Sequence, residues 1–363
     1  MGQKNNIRKQ LSFIDLFKEE KSFLVFILVL FVTASLIYPY PELAMWFGFS
    51  VAAFSAISND SIQTIGTFLS SNSSRKWWVL WLFIGGLFLV TVSISFFLFD
   101  GDVSYQRLAT KGFDESPSSF QYLQIAAPIF LIILTRMRMP VSTTFLLLSA
   151  FAANSDAIGK VLSKSVLGYA IAFVLAFVIY LSVSKFLKKR FKGKPSNIWV
   201  MVQWVSSGAL WCLWIMQDAA NIAIFLPRKL HIFEFIAFAL VVFVGLGFLF
   251  HSRGGRIQKI VTSKSDIKDV RPATVVNIIF SLLMAYHMFD STVPMSTTWV
   301  FLGLLAGREV AMTLTKTSSK KMSFTLKMIG KDVGLAFAGL AVSIILAIAS
   351  NSGIRNEIFS WFY

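Results

Sequence analysis

Two apolar stretches of this chain are interrupted in the same way, and that repetition limits what the chain can become. Each interruption centres on an Asp flanked by amides and is followed, 80 residues on from Asp60 and 76 on from Asp218, by Pro-x-Ser-Thr-Thr. The first copy reads Ser58-Asn59-Asp60-Ser61-Ile62-Gln63 with Pro140-Val141-Ser142-Thr143-Thr144. The second reads Met216-Gln217-Asp218-Ala219-Ala220-Asn221 with Pro294-Met295-Ser296-Thr297-Thr298. A carboxylate in hydrocarbon costs roughly 2.5–3.5 kcal/mol even on insertion scales, so two at matched positions point to an ion or substrate pathway. Paired interruptions in two halves are the pattern of a secondary transporter built from a repeat.

Composition agrees with a membrane setting. The chain is 56% apolar and only 14% charged, with 37 Phe and 10 Trp in 363 residues and a mean hydropathy of +0.68. That places it outside the soluble globular range and gives room for about ten membrane segments. A net charge of +16 in a soluble protein would suggest nucleic acid, but here Lys and Arg sit in short loops between apolar runs. The charge therefore reads as positive-inside topology, with the lipid bilayer and not nucleic acid as partner. Cys212 is the sole cysteine, which excludes an intrachain disulfide and any multi-cysteine metal site. Residues 1–21 mix five bases with Asp15, Glu19 and Glu20, and the following run from Ser22 to Pro39 ends in Tyr-Pro-Tyr-Pro-Glu without a cleavage site. It reads as a retained helix and not as a signal peptide.

The remaining apolar runs fall into two matching series. Leu43 to Ser70 is a long run broken at Asn59-Asp60, Trp77 to Phe99 is a plain span, Tyr122 to Thr135 and Val141 to Ala153 are short halves, and Ser165 to Leu187 is a second plain span. The same order returns in Ile198 to Leu226, His231 to Phe250, the pair Ala273 to Phe289 and Met295 to Met312, and Val333 to Ser350. With the N-terminus cytoplasmic and each short pair re-entering on its own side, inside segments hold 24 of the 34 Lys and Arg. The two series then begin on opposite sides of the membrane, with the C-terminus external. The expected fold is an all-α polytopic membrane protein: an inverted-topology repeat with broken helices and two re-entrant helical hairpins, plus one N-terminal extra helix. The expected divisions are 1–42 for the tail and extra helix, 43–190 for the first repeat and 191–363 for the second. Compactness favours a bacterial inner membrane.

A helix broken at mid-membrane offers positive N–H ends to anions and negative carbonyl ends to cations. Pro140 and Pro294 are placed to start half-helices. Ser142, Thr143, Thr144, Ser296, Thr297 and Thr298 then set hydroxyls beside free N–H groups, a site for a tetrahedral oxyanion, unless they merely cap or pack those helices. Asp60 with Gln63, and Asp218 with Asn221, put carboxylate and amide oxygens on one helix face, and Asn59 and Gln217 add a neighbouring amide each. Hard oxygen ligands of this kind suit Na⁺; a proton on a buried carboxylate is the alternative coupling ion.

Asn59-Asp60-Ser61-Ile62-Gln63 and Gln217-Asp218-Ala219-Ala220-Asn221 resemble the Asn-Asp-x-Ala-Asn signature carried in both halves of the inorganic phosphate transporter (PiT) family. The two Pro-x-Ser-Thr-Thr segments resemble its second paired element, and the likeness covers most of the chain from about Leu43 to Ser350. It implies a cation-coupled importer in which the Ser/Thr tips hold phosphate and Na⁺ lies near Asp60 and Asp218. The chain departs from the signature at Ile62, Gln63 and Gln217; a Gln keeps the amide but moves it outward by one methylene. The family also contains sulfate permeases, so the likeness does not fix the anion. Sulfate or another oxyanion, proton coupling, and an anion channel stay open, as does a homodimer. No cofactor beyond the coupling ion is expected, and the chain carries no nucleophile elbow, Walker motif or zinc signature that would make it an enzyme.

The other polar residues carry weaker signals. Arg136 and Asp290 each precede the Pro by four residues and could meet about a pseudo-two-fold axis. Arg308 and Glu309, being adjacent, are expected to point apart. His231, His251, His287 and Glu234 read as interfacial, and Arg253-Gly254-Gly255-Arg256 as a cytoplasmic turn.

Overall fold

A computed structural model describes residues 13–110, 113–137, 139–152, 155–191, 193–252, 269–290 and 296–360. Pro294, Met295, Arg138 and the Arg253–Arg256 turn lie outside the described residues, as do the side chains of Asp290, His287, Ser61 and Ile62.

Every described element is helical. In order they are α1 (Phe13–Ile37), α2 (Pro41–Ser71), α3 (Trp77–Leu98), α4 (Arg107–Thr110), α5 (Tyr122–Arg136), a π-helical turn (Thr144–Leu148) running into α6 (Ser149–Phe151), and α7 (Ser155–Arg190). Then come α8 (Asn197–Ala223), α9 (Ile232–His251), α10 (Val270–Asp290), α11 (Thr297–Leu314), α12 (Met322–Ser350) and α13 (Ser352–Ser360). Six of these (α1, α3, α7, α8, α9 and α12) contain stretches long and apolar enough to cross a membrane. The surface supports the same reading. Leu28, Val29, Leu36, Phe97, Val205, Phe233 and Phe248 face outward, while Asn59, Asp60, Gln217, Asp218 and Asn221 are buried. Apolar outside and polar inside reverses the order of a water-soluble domain and fits an integral membrane protein.

Local chemistry accounts for many helix ends. Pro41 opens α2 at a position where its missing N–H costs nothing. A capping box between Gln121 and Gln124 starts α5, and another between His231 and Glu234 starts α9, which gives Glu234 a structural task. Gly101 turns the chain after α3 with φ of 93°, and a Cβ there would sit 2.8 Å from the Leu230 carbonyl oxygen. That close approach lets the Leu230 N–H donate to the Gly101 carbonyl at 3.0 Å, joining the loop after α3 to the loop after α8. Arg228 ties the loop after α8 to the segment between α4 and α5 by donating to the carbonyls of Phe113 and Glu115.

Three sequence expectations need correction. Helix α2 runs through Asn59-Asp60 and α8 through Gln217-Asp218 without a break, because the Asp and its amide neighbours keep their side chains on one face and leave the backbone ladder intact. The two Asp motifs therefore offer side chains, not open helix ends. Second, α7 begins at Ser155 and α12 at Met322, before the expected Ser165 and Val333. Hydropathy marks where a helix is apolar, and the early turns with Lys160, Lys164, Lys327 and Lys331 are helical but polar. Third, α10 begins at Val270 and has 21 residues, against an expected run from Ala273, while α11 keeps the expected length of 18.

Helices α2 and α8 pack against each other at the centre, with α3 and α9 beside them, α5 on α2 and α10 on α8. Helix α7 lies along α11, and α12 covers the π turn and α6. The α7–α11 contact is backbone to backbone. A Cβ on Gly303 would lie 2.3 Å from the Tyr169 carbonyl oxygen, and one on Gly307 2.1 Å from that of Phe173. This is a small-x-x-x-small crossing in which the missing side chains admit the neighbouring helix. Helix α1 leans on α5 and α2 at the edge, and Glu20 pairs with Arg136 at 2.6 Å.

Candidate functional site

Residues three apart on a helix share a face, so Asp60 with Gln63 on α2, and Asp218 with Asn221 on α8, each project as a unit. Both units point into the centre. Asp60 is 2% exposed and Asp218 5%, values that no solvated carboxylate has.

Each unit is completed by the Ser/Thr segment of the other half of the chain. Asn221 donates through Nδ2 to Asp218 Oδ1 at 2.7 Å and to Thr144 Oγ1 at 3.0 Å, and Thr144 Oγ1 donates to Asp218 Oδ1 at 3.3 Å. In the matching set, Gln63 Nε2 donates to Asp60 Oδ1 at 3.4 Å and to Thr298 Oγ1 at 3.2 Å. Here Thr298 donates to the Val141 carbonyl at 3.3 Å and also lies in hydrogen-bonding contact with the Asp60 carboxylate. The amide oxygens Gln63 Oε1 and Asn221 Oδ1 are buried and accept no hydrogen bond from the described residues. Each set thus combines a carboxylate, a Thr hydroxyl and an amide oxygen with lone pairs to spare, which is a donor set for a hard cation.

The six hydroxyls of the paired segments divide into three roles. Ser142 accepts from the Phe145 N–H at 3.1 Å and Ser296 from the Trp299 N–H at 3.4 Å, both as helix N-caps. For these two the capping reading holds. Thr144 and Thr298 belong to the crossed sets. Thr143 is buried and faces the Asp60 carboxylate, which its hydroxyl is placed to hydrogen-bond. Thr297, its counterpart, is 3% exposed. Pro140 precedes the capping Ser142 and sits outside the helix, not in its first turn. A π-helical turn follows at Thr144–Leu148; such turns relax the regular ladder and are common near functional sites.

The neighbouring amides hold helices together. Asn59 Nδ2 donates to Asp60 Oδ1 at 2.8 Å and to the Val141 carbonyl at 2.9 Å. Gln217 Nε2 donates to the Met284 carbonyl at 3.0 Å. Arg136 engages Glu20, where α1 lies against its end of α5; the expected meeting with the Asp290 side chain lies outside the described residues. Arg308 and Glu309 do not point apart but pair at 2.7 Å.

Electrostatics requires more than these dipoles. Asp60 and Asp218 are close enough to repel one another, and two buried carboxylates at such range call for a compensating cation or proton. One protein cation is near: Arg107 at the start of α4, 7% exposed, within electrostatic reach of Asp218. Burial lowers its guanidinium from the usual arginine value while Asp218 opposes that. In sequence Arg107 is one base in the loop after the Trp77–Phe99 span; only its burial near an Asp, which needs the fold, singles it out. A polar seam was also missed. Thr67 Oγ1 donates to Asn277 Oδ1 at 2.7 Å and Asn277 Nδ2 to Ser207 Oγ at 2.7 Å, so that α2, α10 and α8 are joined below the carboxylates. Asn277 is the one side-chain amide in its apolar run, and that was the available signal.

Among the described residues no three His, Cys, Asp or Glu side chains gather as a transition-metal site. Comparisons with protein-family models, curated proteins and solved structures gave no match.

Proposed function

We propose that the protein is a cation-coupled symporter that imports inorganic phosphate by alternating access, with Na⁺ as the coupling ion. The observation that carries this reading is the crossing of the two sets: Asp60 and Gln63 meet Thr298, and Asp218 and Asn221 meet Thr144. Two buried sites of hard oxygen donors, related by exchange of the halves, are what a transporter with a two-fold-related gate requires.

The packing supports an inverted repeat. Exchange α2 with α8, α3 with α9, α5 with α10, the π turn and α6 with α11, and α7 with α12. The contact of α2 with α5 then becomes that of α8 with α10, α2 with α9 becomes α8 with α3, and α7 with α11 becomes α12 with the π turn and α6. Together with the loop charges, this favours a cytoplasmic N-terminus and an external C-terminus.

In this reading Na⁺ occupies the carboxylate and amide oxygens, and phosphate lies between the sets against Thr143, Thr297 and the N–H groups that open their helices. Moving a dianion inward against about 100 mV costs roughly 4.6 kcal/mol, so cations must enter with it. Arg107 adds positive charge on the outer approach. The proximity of Asp60 to Asp218 favours proton coupling as a second reading, since one proton shared by the pair would serve the same balance.

The test is uptake of labelled phosphate by proteoliposomes containing the purified protein under an inward Na⁺ gradient, with a proton gradient as control and unlabelled sulfate as competitor. Saturable, Na⁺-dependent uptake that ignores sulfate is the expected result. Uptake driven by the proton gradient alone would select the second reading. Transport of sulfate without phosphate would transfer the mechanism to another oxyanion, and conductance following the anion's own gradient would make the protein a channel.

A further inference from the structure

A polar cavity lies at the end of the bundle where α7 and α11 finish and α10 begins. Its volume is about 550 Å³, and among the described residues Lys188, Arg308, Lys316 and Lys320 line it against a single carboxylate, Glu309. Along α11 it is about 15 Å from the crossed sets, since ten residues separate Thr298 from Arg308. It is therefore a different site, and its reading does not depend on the transport proposal.

Cations near helix C-termini have an ordinary explanation, which is to satisfy the last carbonyls and offset the helix dipole. Lys188, which donates to the Lys316 carbonyl at 3.4 Å, fits it. Arg308 does not. It sits six residues before the end of α11, is 5% exposed, and stacks over the Tyr180 ring at 5.6 Å. Glu309 bonds both Arg308 at 2.7 Å and Lys320 at 2.9 Å, so one negative charge is shared between two cations held in fixed positions. Lys188 and Lys316 stand exposed at the rim. Hydroxyls of Ser318 and Ser319 complete a lining with an excess of positive charge and donors. A fixed guanidinium backed by a carboxylate, flanked by lysines and hydroxyls, suits a phosphate group. The volume falls within the roughly 300–1,000 Å³ of small-molecule sites.

We propose that this cavity binds a phosphate-bearing ligand, either the headgroup of an acidic phospholipid or a soluble phosphate ester. The test follows thermal unfolding of the purified full chain in neutral detergent while dioctanoyl phosphatidylglycerol, dioctanoyl phosphatidylcholine or glycerol phosphate is titrated. Arg308 holds a buried ion pair whose loss would confound folding, so the exposed lysines carry the test as Lys188→Gln with Lys316→Gln. The expected result is saturable stabilisation by phosphatidylglycerol or glycerol phosphate, with apparent affinity weakened about tenfold in the double variant. A response to phosphatidylglycerol but not to glycerol phosphate assigns the site to membrane lipid; a response to glycerol phosphate assigns it to a soluble ester. Equal stabilisation by phosphatidylcholine, no stabilisation by any of the three, or a response that the double variant leaves intact would overturn the proposal.

Discussion

At the scale of single residues, the crossed sets separate hydroxyls that look equivalent in sequence. Thr144 and Thr298 bond the amide of an Asp unit, whereas Thr143 sits against the Asp60 carboxylate and bonds no amide among the described residues. On the proposed mechanism, Thr298→Val raises the Na⁺ concentration for half-maximal uptake by roughly tenfold and leaves the phosphate KM nearly unchanged, while Thr143→Val does the reverse. Initial-rate uptake with each ion varied in turn checks this, and identical effects of both variants on both ions would remove the division of roles. Asp60→Asn and Asp218→Asn remove the charge facing the cation and are expected to abolish coupled uptake with normal expression. Near-normal uptake in both would end the cation-site assignment. The four charged or amide residues of these sets were legible in the sequence because polar groups are so rare in apolar runs. Which Thr serves which Asp was not legible, since the pairing crosses between halves, from Gln63 to Thr298 and from Asn221 to Thr144, and depends on how α2 and α8 are placed.

At the scale of helices, the α7–α11 crossing depends on absent side chains. A Cβ at Gly303 or Gly307 would press on carbonyl oxygens that cannot rotate away, so Gly303→Ala and Gly307→Ala are each expected to destabilise by about 1–3 kcal/mol. Gly330 and Gly334 on α12 face open space, and Ala there is expected to be neutral or to stabilise by up to about 1 kcal/mol. Thermal unfolding in detergent distinguishes the two pairs, and equal midpoints for all four variants would contradict the close crossing. Helix existence and order were readable from runs of apolar residues, but the continuity of α2 and α8 through their Asp motifs was not. A polar cluster weakens hydropathy in the same way whether the backbone breaks or only the side chains turn inward. The Gly303-x-x-x-Gly307 spacing was visible, though nothing in the sequence named α7 as its partner.

At the scale of the whole molecule, the halves interlock, with α7 of the first lying on α11 of the second and α12 of the second covering the π turn and α6 of the first. A chain divided in the segment between α7 and α8 is therefore expected to regain uptake when both pieces are made together, and to show none when either is made alone. Co-purification of a tagged first piece with the second, and uptake by the pair, measure this; activity from one piece alone would contradict the crossed sites. The all-helical, apolar character of the chain could be read from the sequence because burial in lipid acts on each helix separately. The basic cavity at the ends of α7 and α11 could not, because Lys188 and Arg308 are far apart in the chain and meet only on folding.

The crossing also has a genetic consequence. A codon for Thr298 in the second half helps to shape the pocket whose carboxylate is encoded at Asp60 in the first, and the codon for Thr144 does the same for Asp218. Selection on either pocket therefore acts at both ends of the gene, and the two copies, though free to differ as Gln63 and Asn221 do, are bound to diverge together.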